Sequence, residues 1–379
     1  MGAIRLFLAF GVLVAHTDAD VLSHIGLRMD PLWALGLIGG RAVLFFYVVS
    51  GFLIGYVLHE KYPATGAGTR AFYRSRFLRI YPLWWCLLAV CLFLGSRPGL
   101  AGHLPPTVIP AAGLLGSDWL VAFWTYPAQD WLIFPSGAEV GWTLGAELTF
   151  YLMAPFVLRS DRTAFALLLV SALMRIVCIW AFKSAGQHVS VTMTYFFFPA
   201  TLAFFMLGHC AAVIHRRYRI GLALSAVSLT AAAAFSALGN PFSFDDWPFH
   251  LSALCFALAL PGIFAVTKDN RVCNVLGDLT YPLYLTHSLV ISALFWPLAL
   301  WGGLGEALAE WLPPLVHSKV GVAIILTGVV TVIALSVAWL THLFVERPAR
   351  FIVSRILALT SSLFRFAGPA AARAPLIQP

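Results

Sequence analysis

The chain has 379 residues, 60% hydrophobic and 11% charged, with a formal net charge of +8. Soluble domains carry about 25% charged residues, so a soluble enzyme, a nucleic-acid binder and a disordered chain are excluded as descriptions of the whole. At ~20 apolar residues per crossing the length holds on the order of ten transmembrane helices. The basic balance is then explained by cytoplasmic loops, and no nucleic acid is expected as a partner.

In chain order, apolar runs cover residues 4–22, 38–59, 79–97, 140–158, 163–182, 194–215, 220–239, 249–267, 275–299 and 319–345. They are continuous rather than alternating, which favours helices over barrel strands. In the first run His16, Thr17 and Asp18 stand where a cleavage site would fall, so it reads as a retained helix and not a signal peptide. Numbering the loops alternately from an inside start puts Lys61, Arg70, Arg74, Arg76, Arg79, Arg159, Arg162, Arg216, Arg217, Arg219, Lys268 and Arg271 inside. The outside loops collect acids instead, among them Asp18, Asp20, Asp118, Asp130, Glu139, Asp245 and Asp246. This follows the positive-inside rule. The expected fold class is therefore all-α: a polytopic transmembrane helix bundle of about ten spans with both termini cytoplasmic. Residues 1–346 read as the membrane-embedded domain. Residues 347–379 read as a basic cytoplasmic tail, whose apolar Phe351, Ile352, Ile356, Leu357, Leu363 and Phe364 suit an inner-leaflet helix.

The longest connection, 98–139, holds Pro98, Pro105, Pro106 and Pro110 and the aromatics Trp119, Trp124, Tyr126 and Trp131. Its middle is too short to span, and its aromatics read either as an interfacial belt or as platforms for sugar rings. Six scattered cysteines form no CxxC pair, so neither a metal site nor a disulfide framework is expected.

Ionisable residues within spans are costly and are functional candidates by default. They are His16, Glu147, Arg175, His209 and His287, with Glu346 and Arg347 closing the last run. Arg5 and His16 are eleven residues apart. On a helix that is about three turns plus ~20°, so both face one way, ~16 Å apart along the axis. A cytoplasmic anion on a long arm, held at Arg5, reaches His16. The bland alternatives are a topogenic Arg5 and a His16 hydrogen-bonded within the bundle, for example to Glu147. Arg76 and Arg79 are neighbours on one helical face, and paired guanidinium forks suit phosphate oxygens; a topogenic cluster is again the alternative. No Walker pattern, HExxH or Gly-x-Ser-x-Gly elbow is present.

Six stretches, in order, resemble a known family. They are Ile4-Arg5-Leu6-Phe7 with His16; Leu44-Phe45-Phe46-Tyr47-Val48-Val49-Ser50-Gly51-Phe52-Leu53-Ile54; Arg76-Phe77-Leu78-Arg79-Ile80-Tyr81-Pro82; Trp142 to Leu152 around Glu147; Leu276 to His287; and Val345-Glu346-Arg347-Pro348. Together they are similar to the integral-membrane acyltransferase family 3, bacterial O-acyltransferases of surface glycans and related small molecules. Departures are Thr143 for a usual Ser, Gly145 for a larger side chain, and Arg41 near where many members have Gly-Val-Asp.

The resemblance implies a multi-pass protein of the inner (plasma) membrane. It implies transfer of an acyl group, most often acetyl, from acyl-CoA to a hydroxyl of a glycan or lipid-linked sugar. Acyl-CoA is then a co-substrate, with no bound cofactor and no metal. It implies His16 as general base, Glu147 as the carboxylate supporting it, and Arg5, Arg76 and Arg79 as the acyl-CoA-binding set. Ser50, Tyr81, Trp142 and His287 would support them. The competing reading from another class is a secondary transporter of a small polar solute, which also needs midplane ionisable groups.

Overall fold

A computed structural model of the chain describes residues 1–23, 39–95, 108–125, 134–135, 137–184, 187–218, 220–240, 243–299, 319–349 and 351–352. Among these the chain is helical, without strands. The long helices are α1 (Gly2–Thr17, continuing as a π-turn through Leu22), α2 (Gly40–Glu60) and α3 (Gly66–Gly95). Two short pieces, α4 (Val108–Gly113) and α5 (Ser117–Leu120, with a π-turn to Thr125), lie in the long connection. Then come α6 (Gly141–Val157), α7 (Asp161–Phe182), α8 (Gln187–Val191), α9 (Phe198–Arg217), α10 (Leu222–Leu238), α11 (Trp247–Thr267), α12 (Arg271–Ala299) and α13 (Lys319–Thr341). A π-turn, His342–Glu346, extends α13.

Each of the ten apolar runs carries a helix, and among the described residues seven helices are long and apolar enough to cross a membrane by length and composition. The expected ten spans are thus not confirmed: ten helices stand on the ten runs, and seven of them qualify as spans. The shortfall has physical reasons. α6 and α10 have 17 residues each, about 26 Å at 1.5 Å per residue, just under the ~30 Å hydrocarbon core. α12 is long, but Asn274, Asp278, Thr280, Thr286 and His287 dilute its apolar character. The tail residues Ile356, Leu357, Leu363 and Phe364, and Tyr126 and Trp131 of the long connection, lie outside the described residues.

α2 and α9 form the most extensive helix pair, and small residues set their closeness. A Cβ on Gly51 would fall 1.8 Å from the Phe205 carbonyl, and one on Gly208 1.8 Å from the Val48 carbonyl. Lipid offers apolar side chains no less than a neighbouring helix does, so helices associate in a bilayer where backbones can approach. At the other extreme α7 presents Leu173, Ile176 and Trp180 outward, Trp180 being 82% exposed, as a lipid-facing helix would.

The middle of the long connection is too short to cross, as expected, and its backbone is locked from α3. Tyr81 OH donates to Gly113 O at 2.8 Å, Trp84 Nε1 to Ala111 O at 3.0 Å and Trp85 Nε1 to Ala112 O at 3.0 Å. These three donors satisfy the C-terminal carbonyls that α4 cannot pair internally. Gly145 lets the next segment dock, because a Cβ there would lie 2.2 Å from Ser117 Oγ. The departure at Gly145 is therefore a packing requirement of this chain's own connection.

Candidate active site: an arginine cavity and a histidine pair

A cavity of about 120 Å³ opens between α1, α2, α3, α6 and α12. Arg5, Arg76 and Arg79 line it, with Ser50, Glu147, Thr143 and four tyrosines, Tyr47, Tyr151, Tyr281 and Tyr284. Three guanidinium groups separated by up to 74 positions in sequence thus converge on one space. Arg76 lies over the rings of Phe72 and Tyr151, at 5.8 and 5.7 Å, and Arg79 over Tyr281 at 5.6 Å. Arg76 Nε and Arg79 Nη2 are buried without a hydrogen-bond partner among the described residues. Buried charged donors are costly unless paired, so these two N–H groups point to an anionic ligand.

Glu147 is held by its neighbours. Its Oε1 accepts from Ser50 Oγ at 2.9 Å and from Tyr151 OH, one turn along α6. The expected support of His16 by Glu147 is therefore replaced: His16 Nδ1 faces Asp20 Oδ2, 3.3 Å away and one turn on in its own helix. The π-turn that begins at Asp18 carries Asp20.

His16 does not line the arginine cavity; it sits beyond it. Its ring meets the His287 ring edge-on at 5.1 Å, and His287 in turn lies 5.9 Å from the Tyr284 ring that closes the cavity. His287 is fully buried. Its Nδ1 donates to Tyr284 O at 2.7 Å, which leaves Nε2 as a bare acceptor among the described residues. Tyr284 OH donates to Thr143 Oγ1 at 2.9 Å, so the substituted Thr143 hydroxyl anchors the ring between the two centres. The His16 side chain is 39% exposed and that of Asp20 53%, while Arg5, Arg76 and Arg79 are half-buried.

Of the nine residues singled out from sequence, Arg5, Ser50, Arg76, Arg79 and Glu147 share the cavity, and His16 and His287 form the second centre. Tyr81 and Trp142 join neither: Tyr81 braces α4, and Trp142 packs against Tyr195 and Phe196 at 5.0 and 4.6 Å. Sequence reasoning missed Tyr151, Tyr281, Tyr284 and the role of Glu346. Tyr151 was legible as the position four after Glu147, on its face. Glu346 was not, because its contact is made across the bundle: its Oε1 lies 3.8 Å from Arg79 Nη1.

A family model described as an acyltransferase domain, acyltransferase 3, matches residues 1–359. Nodulation protein 10 of Rhizobium leguminosarum bv. viciae is 27% identical over 316 residues, 77% of this chain and 82% of the relative. The exopolysaccharide production protein ExoZ of Rhizobium meliloti is 29% identical over 267 residues, 67% and 77% of the two chains. The acyltransferase MdmB of Streptomyces mycarofaciens is 26% identical over 170 residues, 42% and 38%. No solved structure matches. With a family model spanning nearly the whole length of a multi-helix membrane chain, the protein belongs to the acyltransferase 3 family.

Proposed function

We propose that the protein is an O-acyltransferase of the inner membrane that moves an acyl group, acetyl in the first instance, from acyl-CoA to a hydroxyl of a glycan or lipid-linked sugar. The observation that carries this reading is the pair of unpartnered buried N–H groups, Arg76 Nε and Arg79 Nη2, beside Arg5 in one cavity. Coenzyme A brings phosphates to satisfy them and a long flexible arm that spans the ~16 Å from Arg5 to His16 along α1. The names of the nodulation and exopolysaccharide relatives suggest a saccharide acceptor.

In this mechanism Nδ1–H of His16 donates to Asp20, and Nε2 is the base. The acceptor hydroxyl attacks the thioester carbonyl while Nε2 takes its proton. The new ester C–O bond forms, the C–S bond breaks, and the imidazolium returns the proton to the departing thiolate. Asp20 holds the ring in that tautomer, as a carboxylate does for a catalytic imidazole. Glu147, tied to Ser50 and Tyr151, holds the cavity wall beside the arginines.

Replacing His16 by Ala and following labelled acetyl transfer in membranes tests the reading. The expected loss is about 10²-fold or more, with protein amount unchanged. Transfer at the parental rate would remove His16 from the chemistry. Mass spectrometry of surface glycans from a deletion strain identifies the acceptor by its missing acetyl group.

A further inference from the structure

The end of the last described long helix reaches Arg79 from outside the cavity lining. There, α13 loosens into the π-turn His342–Glu346, a distortion that recurs at functional sites because it re-aims side chains. Here it places two ionisable side chains inside the protein: His342 is 7% and Glu346 1% exposed. His342 Nδ1 donates to Glu346 Oε2 at 2.9 Å. The other oxygen, Oε1, stands 3.8 Å from Arg79 Nη1, an ion-pair distance longer than a direct hydrogen bond.

Arg79 is therefore held on two sides. Glu346 fixes one edge of its guanidinium, and the Tyr281 ring, 5.6 Å away, covers its face. The remaining Nη2 is buried and has no partner among the described residues. Arg76 is held differently, by aromatic faces and the neighbouring Ser75 hydroxyl at 3.1 Å. Arg79 is thus the cavity arginine with a carboxylate behind it.

We infer that His342 and Glu346 are positioning residues for the donor: Glu346 aims Arg79 into the cavity, and His342 fixes Glu346. This rests on the reading of the arginines as the acyl-CoA site. A long side chain aimed in advance loses less freedom when its ligand arrives. Removing the aim weakens donor binding even though it also removes a negative charge near a bound anion. That opposition of signs makes the inference testable, because a carboxylate that only balanced charge would, once neutralised, leave an anion bound more tightly.

The experiment uses the full chain, purified in nanodiscs, with equilibrium binding of CoA and the acetyl-CoA dependence of transfer measured together. Glu346→Gln keeps the shape and an acceptor for His342. It is expected to raise the CoA dissociation constant and the half-saturating acetyl-CoA about tenfold, with kcat changed less than about threefold. His342→Ala is expected to move both in the same direction by about threefold. Arg79→Ala combined with Glu346→Gln is expected to be no weaker a binder than Arg79→Ala alone, since a residue acting through another adds nothing once that other is gone.

Unchanged or tighter CoA binding by Glu346→Gln, while Arg79→Ala weakens it, overturns the positioning role and leaves the donor site standing. Unchanged CoA binding in both Arg5→Ala and Arg79→Ala overturns the donor site itself. If Glu346→Gln does not accumulate, Glu346→Asp serves: it retains the charge with a shorter reach. An intermediate rise in the dissociation constant supports the role, and parental binding overturns it.

Discussion

Two pairs of arginines divide this molecule, one pair buried and one half-buried along the cavity. Arg41 and Arg175 are saturated. Arg41 Nε donates to Ser243 O and Nη1 to Ser236 O, each at 3.1 Å, and Nη2 meets both Asp246 oxygens at 2.9 Å and the Asn240 carbonyl. Arg175 donates to Thr194 O, Phe244 O and His250 Nε2. Both tie the segment before α11 to the bundle. Arg76 and Arg79, by contrast, each keep a buried donor nitrogen that no group among the described residues answers. The same side chain is a fastener where its nitrogens find acceptors in the protein and, on the function proposed above, a binding element where some do not. What separates them is hydrogen-bond satisfaction, because a buried polar group left unpaired costs stability until a ligand supplies the missing bond.

The comparison breaks most visibly at the saturated set. Arg41→Ala leaves Asp246 and three backbone carbonyls without their donor. It should cost about 3–5 kcal/mol, seen as loss of folded protein in detergent thermal-shift measurements. A variant that accumulates and melts like the parent would put Arg41 outside the load of the fold. At the open set the expected effect is on ligand rather than fold. Arg76→Ala should raise the half-saturating acyl-CoA about tenfold, since a hydrogen bond to a charged group contributes about 1.5–3 kcal/mol, while the melting temperature stays close to the parent's. Equal losses in stability for Arg41→Ala and Arg76→Ala would erase the distinction.

A carboxylate in the long connection sharpens the same rule with the opposite charge. Asp118 is fully buried, and burial pushes its carboxyl up from 3.8 to about 6, partly offset by its own and the Trp119 backbone N–H. A raised acid binds its proton more tightly in the folded state. Its contribution to stability is therefore complete below about pH 4 and is lost as pH rises through about 6. Asp118→Asn should remove that dependence and gain about 3 kcal/mol at pH 7; melting curves of both proteins between pH 4 and 7 check it. An unchanged pH profile would mean the carboxyl is solvated. The smallest effect belongs to Tyr81→Phe, which deletes one hydrogen bond to Gly113 at 2.8 Å. It should cost about 1 kcal/mol and leave the donor requirement as it was. A shift in donor requirement would return Tyr81 to the cavity.

Much of the site was legible before any coordinates. The pairing of Arg76 with Arg79 follows from helical spacing. The axial separation of Arg5 from His16 follows from rise per residue; their shared helix face suggests one site, whereas the structure puts Arg5 in the cavity and His16 beyond its lining. The expectation about Glu147 shows where such reasoning stops. Among polar groups in apolar runs it was natural to join Glu147 to His16, but helix rotation turned Glu147 toward Ser50 and Tyr151. A carboxylate on His16's own helix took that place. No pattern along the chain reveals how two helices are rotated against each other.

The amino-acid sequence by itself determined that this is a helical membrane protein, where its helices run and which ionisable groups lie within them, because water-to-lipid transfer acts residue by residue and leaves its record in composition and spacing. Only the tertiary structure decided which of those groups meet. Arg79 finds Glu346 across the bundle, Tyr284 stands between cavity and histidines, and Arg41 is spent on a loop two hundred residues away. Those choices rest on close approach at glycines such as Gly51 and Gly208 and on the requirement that each buried donor find an acceptor. Both are properties of packed neighbours rather than of any single segment.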